Sequence, residues 1–124
     1  MTRLVAEAIW YLLRTEWPMR QRGLPALQCL LRQSFSRSKR KSPYLERQIS
    51  RAMDIACVLY FKRVLCLQRS IATTMLLRHH GLFAELVIGA QILPFKSHAW
   101  VELHGQVIND KSYTPQIYRE LERC

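Results

Sequence analysis

Three residues have the types and the chain order that a nucleophilic site requires: Cys66, His98 and Asp110. Cys66 opens a segment of helical character, Cys66-Leu67-Gln68-Arg69-Ser70-Ile71-Ala72, that runs to Gly81. His98 stands in Ser97-His98-Ala99-Trp100-Val101-Glu102, and Asp110 closes Val107-Ile108-Asn109-Asp110; both stretches have strand character. The thiolate is the reactive form of cysteine, and a helix N-terminus favours negative charge. Cysteine catalysis also needs a base within hydrogen-bond reach, and that base needs an orienting partner. In this order Cys66 would attack a carbonyl carbon. His98 would take the thiol proton and later protonate the leaving amine. Asp110 would fix the imidazole, and the Cys66 backbone N–H would face the oxyanion. The chemistry is acyl transfer through a thioester, with peptide hydrolysis as the first reading. Transfer to an amine uses the same thioester, and the spacing does not distinguish the acceptors.

These residues must be positioned by their elements, and a count along the strands offers a test. A three-residue loop Leu103-His104-Gly105 puts Glu102 across from Gln106, Trp100 across from Ile108, and His98 across from Asp110. Directly opposed side chains share one face, with Cβ atoms about 4.5–5.5 Å apart. A two-residue His104-Gly105 loop sets Asp110 against Ala99 instead, on the other face. The catalytic reading therefore predicts an odd-numbered loop.

Upstream the chain reads as helical. Leu4, Ala8, Tyr11 and Leu12 recur at helical spacing up to a break at Trp17-Pro18. A short helix is expected over 24–32, with Pro25 in its first turn. A third helix is expected from Tyr44 to about Lys62, with Leu45, Ile49, Met53, Ala56 and Tyr60 on its apolar face. Gly81 is the expected stop of the Cys66 helix. Strands follow at 83–89, 99–103 and 107–109. Helices first and strands last predict an α+β fold, with a small antiparallel sheet packed on the helix that Cys66 opens. One domain is expected over 1–124, mainly helical over 1–63 and built of that helix and the sheet over 64–124.

The chain has 124 residues and a net charge of +10, from 19 basic and 9 acidic residues. That charge favours acidic partners without specifying one. A chain of this size has little room for a separate recognition domain. Cys29, Cys57, Cys66 and Cys124 form no CxxC pair, and His79-His80 has no cysteine at zinc-finger spacing. Neither a structural zinc site nor a disulfide framework is expected. Cys29 and Cys57 read as small core residues, and Cys124 as a frayed end. His79 and His80 read as exposed helix-end residues, His104 as a turn residue, and Trp100 as packing. The apolar N-terminal stretch is interrupted by Glu7 and followed by Arg14 and Glu16, so neither a signal peptide nor stable membrane insertion is expected. The basic run 34–43 reads as an exposed loop; it lacks the aromatic interleaving of a nucleic-acid binder, and no nucleic-acid partner is expected.

The Cys66 motif, the Leu76-Leu77-Arg78 to Gly81 helix end, Glu85-Leu86-Val87-Ile88-Gly89, and His98-Ala99-Trp100-Val101-Glu102 with Gly105 and Asp110 together resemble the lasso-peptide biosynthesis leader peptidases, a bacterial branch of the transglutaminase-like cysteine proteases. The likeness spans residues 66 to 110; the helical first half is similar only in general character. It implies a papain- or transglutaminase-like fold and cytoplasmic action. It also implies removal of a leader peptide from a ribosomally made precursor, before an ATP-using, macrolactam-forming cyclase closes the ring. No cofactor of this chain's own is implied. Members carry a fused leader-recognition domain or work as a separate peptidase subunit. With little chain before Thr2-Arg3, this sequence resembles the separate form, which requires a leader-recognition protein as partner. Carried over by position, the family's triad falls on Cys66, His98 and Asp110. Val64-Leu65 departs from the family pattern, in which a proline is often found near this point. A catalytically inactive transglutaminase-like module that binds peptide or a partner would share the same fold.

Overall fold

Apolar stripes at helical spacing and alternating strands sort the described residues into eight elements. The structure, a computed structural model, describes residues 2–21, 42–92, 95–108 and 114–123. In chain order these are α1 (Thr2–Gln21), α2 (Pro43–Leu59), α3 (Cys66–His79), β1 (Ala84–Gln91), β2 (Lys96–Leu103), β3 (Gln106–Val107), α4 (Thr114–Ile117) and β4 (Arg119–Arg123). The sheet is antiparallel throughout, in the order β3-β2-β1-β4. The fold is thus the expected α+β arrangement. The helix expected over 24–32, the basic run over 34–41, Cys29, Asp110 and Cys124 lie outside the described residues.

Ala8, Tyr11, Leu12 and Thr15 form the buried stripe of α1. The buried Thr15 hydroxyl donates to the Leu12 carbonyl at 2.9 Å, which removes the cost of its burial. The break expected at Trp17-Pro18 is absent, because α1 continues through Pro18 to Gln21. Proline deletes one backbone N–H bond, but this falls in the last turns, and packing against α2 and α3 holds the rest of the helix. α2 starts where Ser42 caps it, with Oγ accepting from the Leu45 N–H at 3.4 Å and Pro43 in the first turn. Ile49, Ala52, Met53 and Ala56 are its buried face.

α3 is buried on nearly every side, with α1 and α2 on one flank and the sheet on the other. Ile71, Ala72, Met75, Leu76 and Leu77 fill the core around it. Its interior hydroxyls are satisfied within the helix: Thr73 Oγ1 donates to the Arg69 carbonyl at 2.7 Å, and Thr74 Oγ1 to the Ser70 carbonyl at 2.8 Å. Gly81 ends the helix as expected. Its φ is 82°, and the N–H groups of Gly81 and Leu82 bond back to the Arg78 and Leu77 carbonyls, each at 3.0 Å.

The β1–β2 register sorts the sheet's two faces. Ala84, Leu86 and Ile88 pair with Leu103, Val101 and Ala99, and all six join the core beneath the helices. Glu85, Val87 and Gly89 pair with Glu102, Trp100 and His98 on the far face. Glu85 opposite Glu102 would be a repulsive pair. Arg123 of β4 answers it, with Nη1 3.1 Å from Glu102 and 3.6 Å from Glu85.

Candidate active site

Cys66 is the first residue of α3, and it is exposed. Leu65 before it is extended and supplies no side-chain cap to the helix's first N–H groups. The entry to this helix is tied down from inside. Gln68 is buried, and its Nε2 donates to the Leu12 carbonyl at 3.1 Å and to Glu16 Oε2 at 2.8 Å. The Tyr60 hydroxyl donates to the same Leu12 carbonyl at 3.3 Å and to Glu16 at 3.4 Å, and Lys62 pairs with Glu16. Burial alone would raise the Glu16 carboxyl, but the hydrogen bonds from Lys62 and Gln68 outweigh it and hold the group below its ordinary value. The network joins α1, the α2–α3 connection and the first turn of α3. It fixes the path of the chain into Cys66.

Two hydrogen bonds set α3 against the sheet. Ser70 Oγ donates to the Ala99 carbonyl at 3.1 Å, and Arg78 Nε donates to the Ala84 carbonyl at 3.0 Å. Ala84 pairs with Leu103. From Ser70 to Arg78 the helix rises about 12 Å, and from Ala99 to Leu103 the strand advances about 13 Å. α3 and β2 therefore run side by side in the same direction. Cys66, one turn before Ser70, lies about 6 Å further back, level with Ser97 and His98.

The bonds also say which side of β2 the helix occupies. The Ile108 N–H bonds to the Val101 carbonyl at 3.1 Å, so Val101 presents its carbonyl to the outer edge, toward β3. Carbonyl direction alternates along a strand, so Ala99 presents its carbonyl to the same edge. There Ser70 takes it. Ser70 thus fixes α3 to β2 at that edge, while the body of the helix packs beneath both β2 and β1. Cys66 opens α3 on the helix side of the sheet, and His98 projects from the far face.

The odd-numbered loop expected between β2 and β3 is not what forms. Leu103 pairs with Gln106, leaving a two-residue loop of His104 and Gly105 with φ of 52° and 79°. Two consecutive left-handed residues make the tight hairpin turn whose twist matches the strands. Carried onward, this register would set Asp110 against Ala99. Among the described residues β3 pairs over Gln106–Val107, and the Ile108 N–H adds one further bond to the Val101 carbonyl. Asp110 itself lies outside the described residues.

His98 is half-buried in a cluster of rings. Its imidazole stacks on Tyr118, with centroids 5.2 Å apart and planes at 30°, and on Trp100, at 6.2 Å and 27°. Trp100 is packing, as expected: it is buried, and its Nε1 donates to Glu102 at 2.8 Å.

A family model described as the transglutaminase-like superfamily matches residues 9–123. The chain belongs to this superfamily. Among curated proteins it is similar to the microcin J25-processing protein McjB of Escherichia coli, with 51% identity over 45 residues. That stretch is 36% of this chain and spans only 22% of the relative's length. No solved structure matches the chain.

Elsewhere in this transglutaminase-like chain, the other histidines and Cys57 have separate surroundings. His80 is not simply exposed: its Nε2 lies 2.7 Å from Glu7 Oε2, tying the end of α3 to α1. Burial would raise the Glu7 carboxyl, but the His80 hydrogen bond and the charges around it together outweigh burial and lower the group. His79 is exposed and its ring lies against Tyr11. Cys57 is half-buried against the core, and burial pushes its thiol up, away from the reactive form. No helix among the described residues is long and apolar enough to cross a membrane. Gln68 and Tyr118 were not recognised from sequence. Gln68 breaks no pattern at its position, and Tyr118 precedes a strand whose Arg-Glu-Leu-Glu-Arg sequence carries little strand signal.

Proposed function

We propose that this chain is a cysteine peptidase that removes the leader peptide from a ribosomally made lasso-peptide precursor. The observation that carries the reading is the exposed Cys66 thiol at the first residue of α3, the helix that Ser70 ties to the strand of His98. Superfamily membership and the likeness to a microcin-processing protein support the same direction. In this reading His98 draws the proton from Cys66, and the thiolate attacks the scissile carbonyl carbon. The oxyanion faces the N–H groups of the first turn of α3. His98 protonates the leaving amine, the leader is held as a thioester, and water releases it. Asp110 orients the imidazole. A separate leader-recognition protein delivers the precursor, and an ATP-using, macrolactam-forming cyclase takes the product, all in the bacterial cytoplasm.

The test is incubation of the purified chain with a precursor and a recognition protein, with the products weighed by mass spectrometry. A leader-sized fragment is expected, and Cys66→Ala is expected to abolish it while the fold is retained. Cleavage by Cys66→Ala would sink the mechanism. Leader binding without cleavage by the native chain would favour an inactive peptide-binding module.

A further inference from the structure

We propose that Tyr118 is a positioning residue for His98, holding the imidazole in its working orientation on the far face of the sheet. The inference rests on the reading of His98 as the base for Cys66. Imidazole has two free side-chain torsions, and a base must present one chosen nitrogen to the thiol. Stacking against a fixed ring removes most of that freedom.

The geometry supplies such a ring. His98, Trp100 and Tyr118 touch one another in all three pairs, the third being Trp100–Tyr118 at 6.3 Å. Tyr118 is the nearest of the two rings to the imidazole. Its backbone N–H bonds to the Thr114 carbonyl at 3.1 Å, which closes α4, and the next residue, Arg119, pairs with Ala90. The ring is therefore placed by a helical turn on one side and a sheet ladder on the other. Gly89, directly opposite His98, leaves the space. A Cβ there would lie 2.7 Å from the Trp100 ring and 3.0 Å from Tyr118 Cβ. The missing side chain on β1 lets both rings close over the strand.

The test uses the full chain and needs no substrate. Cys66 is alkylated with iodoacetamide, and its modification is followed by peptide mass spectrometry from pH 5.5 to 9. In the native chain, reactivity is expected to persist at the acid end, because an imidazolium supports the thiolate. His98→Ala should remove that acid limb. Tyr118→Ala should lower the rate at pH 6.5 by about two- to tenfold, the range a lost aromatic stack allows, and Tyr118→Phe should restore it. Tyr118→Leu keeps apolar bulk without a ring and guards against a folding defect in Tyr118→Ala. Its rate should resemble that of the alanine variant. If Tyr118→Leu or a folded Tyr118→Ala matches the native profile while His98→Ala loses the acid limb, the positioning role is wrong and the catalytic reading stands. If His98→Ala leaves the profile unchanged, the catalytic reading falls and takes this role with it.

Discussion

The Ser70 hydroxyl is bonded to the Ala99 carbonyl at the outer edge of β2, and this single contact sets the level at which Cys66 meets the strand of His98. A helix packed on a sheet by apolar residues alone could slide or tilt by a fraction of a turn. A directional bond between a buried side chain and a strand carbonyl removes that freedom.

Ser70→Ala should leave the Ala99 carbonyl short of this donor. The expected loss is about 1–2 kcal/mol of stability, measured by urea unfolding. Turnover of the precursor should fall as well, through kcat rather than KM, because the variant disturbs the spacing of reacting groups rather than the binding of peptide. An unchanged kcat in a folded variant would show that the contact is structural only.

Acid should loosen the entry to α3. The folded Glu16 carboxyl is held below its ordinary value, so its contribution is complete above the unfolded value, about 4.3, and is lost as pH falls through the folded one. The native chain should lose more stability between pH 6 and pH 3 than Glu16→Gln does. Equal losses in the two chains would rule out this role for Glu16.

The two glycines should respond differently to alanine. Gly89→Ala drives a methyl group against Trp100, and rearrangement is expected to cost about 1–3 kcal/mol. Gly105→Ala meets nothing within 4 Å, and its cost, about 1 kcal/mol, comes from the positive φ alone. Thermal melts of the two variants compare them directly, and a larger shift for Gly105→Ala would contradict the packing of the far face.

Asp110→Ala should lower kcat for leader removal by about a hundredfold or more if Asp110 orients His98, with the melting temperature little changed. Asp110→Asn should not rescue it, because an amide does not stabilise the imidazolium. Full activity in either variant would remove Asp110 from the site.

Much of this architecture is legible in the sequence because it follows period and punctuation. Ile49, Met53 and Ala56 mark one face of α2, Ser42 and Pro43 mark its start, and Gly81 marks the end of α3. The misreadings have local causes. Pro18 signals a break, yet packing carries α1 past it. His104 adopts a left-handed conformation that a non-glycine residue seldom takes, so the hairpin is one residue tighter than counted. β4 is mostly charge and pairs with β1 at a register shift, so alternation does not reveal it. Cys66 and His98 stand out by type and order, but the faces they occupy depend on how α3 packs on the sheet. That is a tertiary fact.

The same packing has a consequence for how the molecule keeps to itself in solution. A sheet rim with free carbonyls and N–H groups is a template on which another chain can pair. The rim at β2 is shared between β3 and the first turns of α3, whose Ser70 occupies the carbonyl that a foreign strand would seek. The opposite rim is β4, where Arg119, Glu120 and Arg123 place charges along a short strand. Both borders are guarded against strand addition, so the contact that levels a candidate nucleophile with its base also discourages aggregation of the sheet.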